Sequence, residues 1–373
     1  MDLLLHILRR NKIMKHKFKY KPTLKFILQF ILVSSLTFSC KNPHNPQPAP
    51  SGNYQQGVFI INEGGYGHGD ASVDFYHKDK DTLERNVFEN VNGHPLGDVL
   101  ESVTHWNGHY FMVLNSSYDI VVANDKSLKL ESVINHLTLP RYLNCLSNQK
   151  AYLTNETANE ITIIDPSAFT VIGHIPYKPG PDSLASWTEQ MVSYNNFVYA
   201  AAVKTGKLLV INTLTDKITD TINLSIGAID VALDNENKIW VLCDGTIAIP
   251  NIHSKLYRID PVSHSIIQQF TFPNINSGVG NLCMTPAGDS LFYVNGGIYK
   301  MGIHATTIPS GSFISGNDHN FYGLAIDPEN NTIYAGDILN FSQTGKTFQY
   351  SSTGKLLKVH NDGVGPNGFL FVK

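Results

Sequence analysis

The stretch VDFYH at residues 73–77 recurs six more times in character though not in letters: IVVAN at 120–124, ITIID at 161–165, LLVIN at 208–212, LYRID at 256–260, IYKMG at 298–302 and TFQYS at 347–351. Each is a short run of β-branched or aromatic residues closed by a polar or turn-forming one, the signature of a strand that ends in a tight turn. The closing residues His77, Asn124, Asp165, Asn212, Asp260, Gly302 and Ser351 follow one another at 41 to 49 residues. Their mean spacing, about 46, is the period of four-stranded propeller blades and not of helical solenoids. Seven such units need about 320 residues, and Gly57 to Lys373 supplies 317. No sustained 3.6-residue period competes with this reading.

A second series lies upstream in each repeat, an apolar strand ending in Asn or Asp: FIIN to Asn62, MVLN to Asn115, YLTN to Asn155, VLCD to Asp244, FYVN to Asn295 and YAGD to Asp337. The fourth repeat departs, with YAAAVKTG around Lys204. Elsewhere another strand precedes this one across a tight turn, as LESVTHW precedes NGHY. In the first repeat only a Pro-rich segment precedes Gly57. The last residues, PNGFLFVK, therefore supply the missing innermost strand, so both chain ends share one blade and no sheet edge is left open there. The expected fold is all-β, a seven-bladed β-propeller of four-stranded antiparallel blades, closed by the C-terminal strand joining the N-terminal blade.

Composition agrees with a large packed core. The chain has 373 residues, 42% hydrophobic and only 16% charged, below the roughly 25% charge of an average soluble protein, which excludes a disordered chain. Its one long apolar run, Phe26 to Phe38, is shorter than the roughly 20 residues that span a membrane and suits a signal-peptide core. Lys15, Lys17, Lys19, Lys21 and Lys25 precede it, directly after Met14, which reads as the translation start. The run ends LTFSC, placing Ser39 before Cys40. Residues 1–39 read as a signal peptide, 40–56 as a lipidated Cys40 with a Pro-rich tether, and 57–373 as the propeller. Removing 1–39 takes away eight basic residues and one acidic residue, leaving 20 basic against 30 acidic and a net charge near −10. No basic run survives, so nucleic acid is excluded as a partner.

LTFSC resembles a relaxed bacterial lipobox of Bacteroidota type, with Leu36 one position early and Thr37 in the usual leucine place. That resemblance implies acylation of Cys40 and an outer-membrane anchor, expected on the cell surface with the periplasmic face as the alternative. The body of the chain resembles YncE-like seven-bladed propellers, and more closely the Bacteroidota surface-lipoprotein branch. The likeness is carried by GVFIINEGGYGHGDASVDFY from Gly57, VNGHPLGDVLESV from Val91, KPGPDSLAS from Lys178 and VGPNG from Val364. It implies a protein that works beside a TonB-dependent outer-membrane transporter, the best-known kind capturing cobalamin. No cofactor is required on this reading; a corrinoid is the ligand.

In a propeller the loops after the second strands and those leading into the innermost strands share one face around the central channel. The first set holds Asn62, Glu63, Asn115, Asn155, Glu156, Lys204, Asp244, Asn295 and Asp337, and the second Arg141, Tyr142, Asp182 to Trp187, and His319 to Tyr322. Amides that donate and accept, beside the flat faces of Trp187, Tyr142 and Tyr322, suit a large amide-decorated ligand with an apolar side. The same Asn and Asp residues also suit plain strand termination. Two other functions use this face. One is protein interaction or adhesion without a small ligand; the other is a calcium-dependent, lactonase-like hydrolase, for which Glu63, Asn155 and Asp244 carry hard oxygen ligands.

No other catalytic motif occurs: GxSxG and HExxH are absent, and GGYGHG from Gly64 precedes a strand and not a helix. His105 and His109 flank a turn, while His94 and His319 remain candidate contacts. Trp240 reads as core and Trp106 as packing. Cys145, Cys243 and Cys283, an odd number beyond Cys40, read as buried thiols.

Overall fold

The computed structural model describes residues 52–179, 186–245, 252–275 and 278–373. The signal peptide, Cys40, most of the tether, the Asp182–Ala185 part of the proposed ligand loop and much of the insertion in the fifth repeat lie outside the described residues. Seven antiparallel sheets are present. Each innermost strand lies against the next, and the last against the first, so the sheets form a closed ring.

Blade 1 runs, from axis to rim, Pro366–Val372, Gly57–Asn62, Ser72–His77 and Thr82–Glu84. Blades 2, 3, 4, 5, 6 and 7 begin with the innermost strands Leu100–Trp106, Pro140–Ser147, Thr188–Tyr194, Ala228–Leu233, Gly280–Met284 and Phe321–Ile326. The C-terminal strand pairs antiparallel with Gly57–Asn62, Phe59 facing Leu370 and Ile61 facing Gly368, as the sequence predicted. One short helix, Val87–Asn92, links blades 1 and 2. Among the described residues no helix is long and apolar enough to cross a membrane.

The repeat has a local cause. Oδ1 of Asn124 accepts the N–H groups of Lys126 and Ser127, Asp165 those of Ser167 and Ala168, Asn212 those of Leu214 and Thr215, and Asp260 those of Val262 and Ser263. Four residues after each cap the backbone turns left-handed, at Leu128, Phe169, Asp216 and His264. The strand-closing polar residue thus folds the turn to the outer strand with its own side chain.

Second strands are buried on both faces, FVYAAA and IWVLC almost without interruption, because each sheet is covered by a blade on either side. Trp240 is fully buried and donates to Asp234 at 3.0 Å. Trp106 packs between blades 2 and 3. The three described cysteines are free, and burial pushes the Cys145 thiol up to about 12.

Blade 6 departs from the four-stranded expectation. It has three strands, and its outer edge carries a single bridge between Ile298 and Ile314. The intervening HATTIPSGSF lacks period-two patterning, and Pro309 has no N–H to donate.

Six of the seven seams between blades are filled by apolar clusters of ten to eighteen buried residues. The seam that closes the ring, blade 7 on blade 1, has three: Val58, Tyr76 and Tyr334. Backbone approach replaces side chains near the axis. A Cβ on Gly336 would stand 2.1 Å from the Pro366 carbonyl oxygen, and one on Gly345 2.3 Å from Pro366 Cδ. Gly336→Ala is therefore expected to lower stability by about 1–3 kcal/mol, as overpacking does in a tight core. Urea unfolding of the variant checks this, and an unchanged midpoint would mean the closing strand has room to shift.

Candidate functional site

All seven innermost strands carry a register shift near their first residues, each inserting one extra residue opposite the second strand. The shifts fall at Glu101, at Arg141–Tyr142, at Glu189–Gln190, at Ile229, at Asn281–Leu282, at Tyr322 and at Asn367. A bulge bends the strand and re-aims its side chain, and seven in register make a belt at one end of the channel. Side chains tie successive bulges together. Asn367 Nδ2 donates to the Leu100 carbonyl at 3.2 Å, Ser102 to the Arg141 carbonyl at 2.7 Å, and the Leu282 N–H to Asp230 at 3.1 Å.

Arg141 is the hub of this belt. Its guanidinium donates to Glu101, and its Nε reaches both Glu189 oxygens at 3.0 and 3.1 Å. Burial works against its charge, but the two carboxylates outweigh that and hold its pKa above the ordinary value. Tyr142 hydrogen-bonds Glu101, and Tyr322 hydrogen-bonds Glu63. Trp187 Nε1 donates to Glu189 at 2.5 Å, while Arg141 and Lys204 Nζ lie 5.9 and 5.1 Å from its ring centre.

The belt is acidic. Glu63, Glu101, Glu156, Glu189, Asp230 and Asp244 stand against Arg141 and Lys204. Burial pushes Glu101 and Glu189 up to about 7 despite Arg141, and Asp230 up to about 7 despite the Leu282 N–H. With Arg141 engaged by two carboxylates, the site offers acceptors, an indole face and the Lys204 ammonium that lies over that indole.

Of the residues singled out in the sequence, the structure brings Glu63, Arg141, Tyr142, Glu156, Trp187, Lys204 and Tyr322 into this cluster, and Asp244 joins it beside Asp230. Others turn inward. Asn62 is fully buried, Asn115 donates to the Pro140 carbonyl at 3.2 Å, and Asn155 donates to Leu153, Glu160 and Thr162 within its own blade. Asp337 accepts from His319 and from the N–H groups of Asn320 and Leu339, closing its own loop. Asn295 sits half-buried in the tight hairpin to Gly297. The Asn155 amide nitrogen is held inside blade 3, while its Oδ1 and the Glu63 Oε2 are buried without a hydrogen-bond partner. His105 and His109 pair with different carboxylates, Asp125 and Glu131, and His94 is exposed beside Pro95.

Glu101, Glu189, Asp230 and Asn367 were missed because they lie within strands, not loops. The available signal was a polar residue placed one or two positions into each innermost strand: LES, TEQ, AID and PNG.

A closed ring of seven sheets with its functional groups gathered at one channel mouth defines a seven-bladed β-propeller. Residues 56–359 match the domain of unknown function DUF5074, and the chain belongs to that family. Among solved structures, a quinonprotein alcohol dehydrogenase-like protein from Bacteroides thetaiotaomicron aligns at TM-score 0.64 and 16% identity, covering 86% of this chain and 79% of its own. A Lactobacillus plantarum protein aligns at 0.62 and 12%, over 85% and 100%. Dihydro-heme d1 dehydrogenase NirN in complex with DHE aligns at 0.58 and 10%, over 84% and 67%. At such identities the likeness is one of fold. No functionally curated protein shows significant similarity to the chain.

Two outcomes follow from the belt. Arg141→Ala strands two buried carboxylates and is expected to cost about 3–5 kcal/mol at pH 8, less at pH 5 where they take up protons; denaturant titration at both values reads this. Asp230 holds its proton in the folded state to about pH 7, against 3.8 as its ordinary value. Between those values the folded state binds more protons than the unfolded one, so stability falls as pH rises. Asp230→Asn should flatten that part of the stability profile, and an unaltered slope would show that Asp230 ionises normally.

Proposed function

We propose that this propeller captures a small ligand at the channel mouth, and that the ligand is neutral or cationic, rich in amide donors and of the corrinoid kind. The observation that carries the reading is the belt of seven bulges, which gathers carboxylates, tyrosines and the half-buried Trp187 around Arg141. Carboxylate oxygens accept from amide groups, the indole face supplies apolar contact, and the acidic surroundings disfavour a simple anion. With lipid on Cys40 and a Pro-rich tether, the propeller is held near a TonB-dependent transporter at high effective concentration, and hand-over follows capture.

Calorimetric titration of cyanocobalamin and cobinamide into the purified protein tests this. One-to-one binding is expected, and Trp187→Ala should weaken it by about 1 kcal/mol or more, roughly fivefold. No heat with either compound at micromolar protein removes the corrinoid. Unchanged affinity in the variant removes Trp187 from the site.

A second reading has its own observation. Tyr66, Tyr118, Leu339 and Phe341 stand exposed on loops of the same face, Tyr66 at 75%. Such side chains suit contact with another protein, and a transporter loop is the partner this reading supplies.

A further inference from the structure

The seam that closes the ring is poor in apolar contact and carries an unusual set of oxygens. Asp362, on the outer strand of blade 7, is fully buried, and neither carboxylate oxygen makes a well-formed hydrogen bond. The fully buried Thr347 hydroxyl is directed at this carboxylate without closing a well-formed hydrogen bond. Across the seam lies Asp74 of blade 1, also buried, which accepts the Gly363 N–H at 3.2 Å and the Asn86 N–H at 2.7 Å.

Asn62 is pressed against the same point. A Cβ on Gly363 would meet Asn62 Nδ2 at 2.8 Å and Ser72 Oγ at 2.6 Å. The Asn62 amide nitrogen donates to Ser72 at 3.2 Å and is directed at the Asp74 carboxylate, while its Oδ1 is buried without a partner. A half-turn of that amide exchanges the two atoms and presents oxygen toward the carboxylates.

Orphaned buried acceptors are expensive, and so many at one place in a native fold call for an occupant. Every orphan here is oxygen: carboxylate, hydroxyl and amide, with no imidazole or thiolate. We propose that this seam is a binding site for a hard cation, calcium by preference, held by Asp362, Asp74, Thr347 and Asn62 and joining the last blade to the first.

The chemistry supports that choice. Calcium takes six to eight oxygen ligands in irregular geometry, carboxylates mixed with amides, hydroxyls and water. A cavity of about 410 Å³, lined in part by Ser72 and Asp74, opens beside the seam and provides an entry path and room for water ligands. Arg85 donates to the Asp362 backbone carbonyl at 2.7 Å, so two carboxylates face one nearby guanidinium and a negative charge remains.

Three measurements on the full-length protein test this. Calcium retained after gel filtration is measured by mass spectrometry, and thermal unfolding at pH 8 is compared in EDTA and in 5 mM calcium chloride. One equivalent of calcium and a melting temperature higher by about 5 °C are expected. Asp362→Asn should abolish both, whereas Asp244→Asn, at the channel mouth, should keep both and so separates this site from any ion there. Thr347→Val, which removes one neutral oxygen, should raise the calcium concentration at half-effect roughly tenfold and keeps the test open if Asp362→Asn does not fold. Equal midpoints in EDTA and calcium with no retained metal would overturn the proposal, as would a calcium response that survives in Asp362→Asn.

Discussion

The structure depends on the pairing of Pro366–Val372 with Gly57–Asn62. A propeller blade is a small sheet whose two faces are both apolar, so it is stable only while a neighbour covers each face. A ring satisfies that condition for every blade at once, and an open arc fails at both ends. The two segments are drawn from opposite ends of the domain, and their hydrogen bonds turn the arc into a ring. Glycine supplies the clearance: Gly336 and Gly345 let the Pro366 backbone approach more closely than any side chain would permit.

Closure also fixes what lies at the axis. Seven innermost strands start at the same height, each with a bulge at its second or third residue, and their extra residues converge on a single ring of positions. The charges placed there are mutually dependent. Glu101 and Glu189 tolerate burial because Arg141 lies between them, and Arg141 stays charged because of both. Such a network gives the mouth a definite shape and sign.

Much of this was legible in the sequence. The seven-fold repeat could be counted because the residue that ends each third strand also folds the following turn, so local chemistry repeats with the period of the blade. The chain-end pairing followed from a repeat that lacked its first strand. The site was harder to read. Asn62, Asn115 and Asn155 look like ligand groups because loops rich in Asn face solvent on average, yet each is held inside the protein by its neighbours. Glu101 and Glu189 hide inside apolar strands, and only the register shift opposite the second strand reveals that they face the axis. Register is a relation between strands, and no single strand's letters contain it. Blade 6 shows the converse, since an irregular Ser, Thr and Gly segment replaced a strand where the repeat count alone predicted one.

The shared first blade has a consequence for the order in which the molecule can form. Blades 2 to 7 are built from contiguous sequence and their contacts are local, whereas Val58 waits for Phe371, more than three hundred residues away. Contacts of such separation form late and slowly, because the intervening chain must be ordered first. Until Pro366–Val372 is in place, Gly57–Asn62 has an unoccupied edge and the partly folded chain is an open arc. The lock is Pro366–Val372, and the fold becomes a ring only when that strand has been made and has docked.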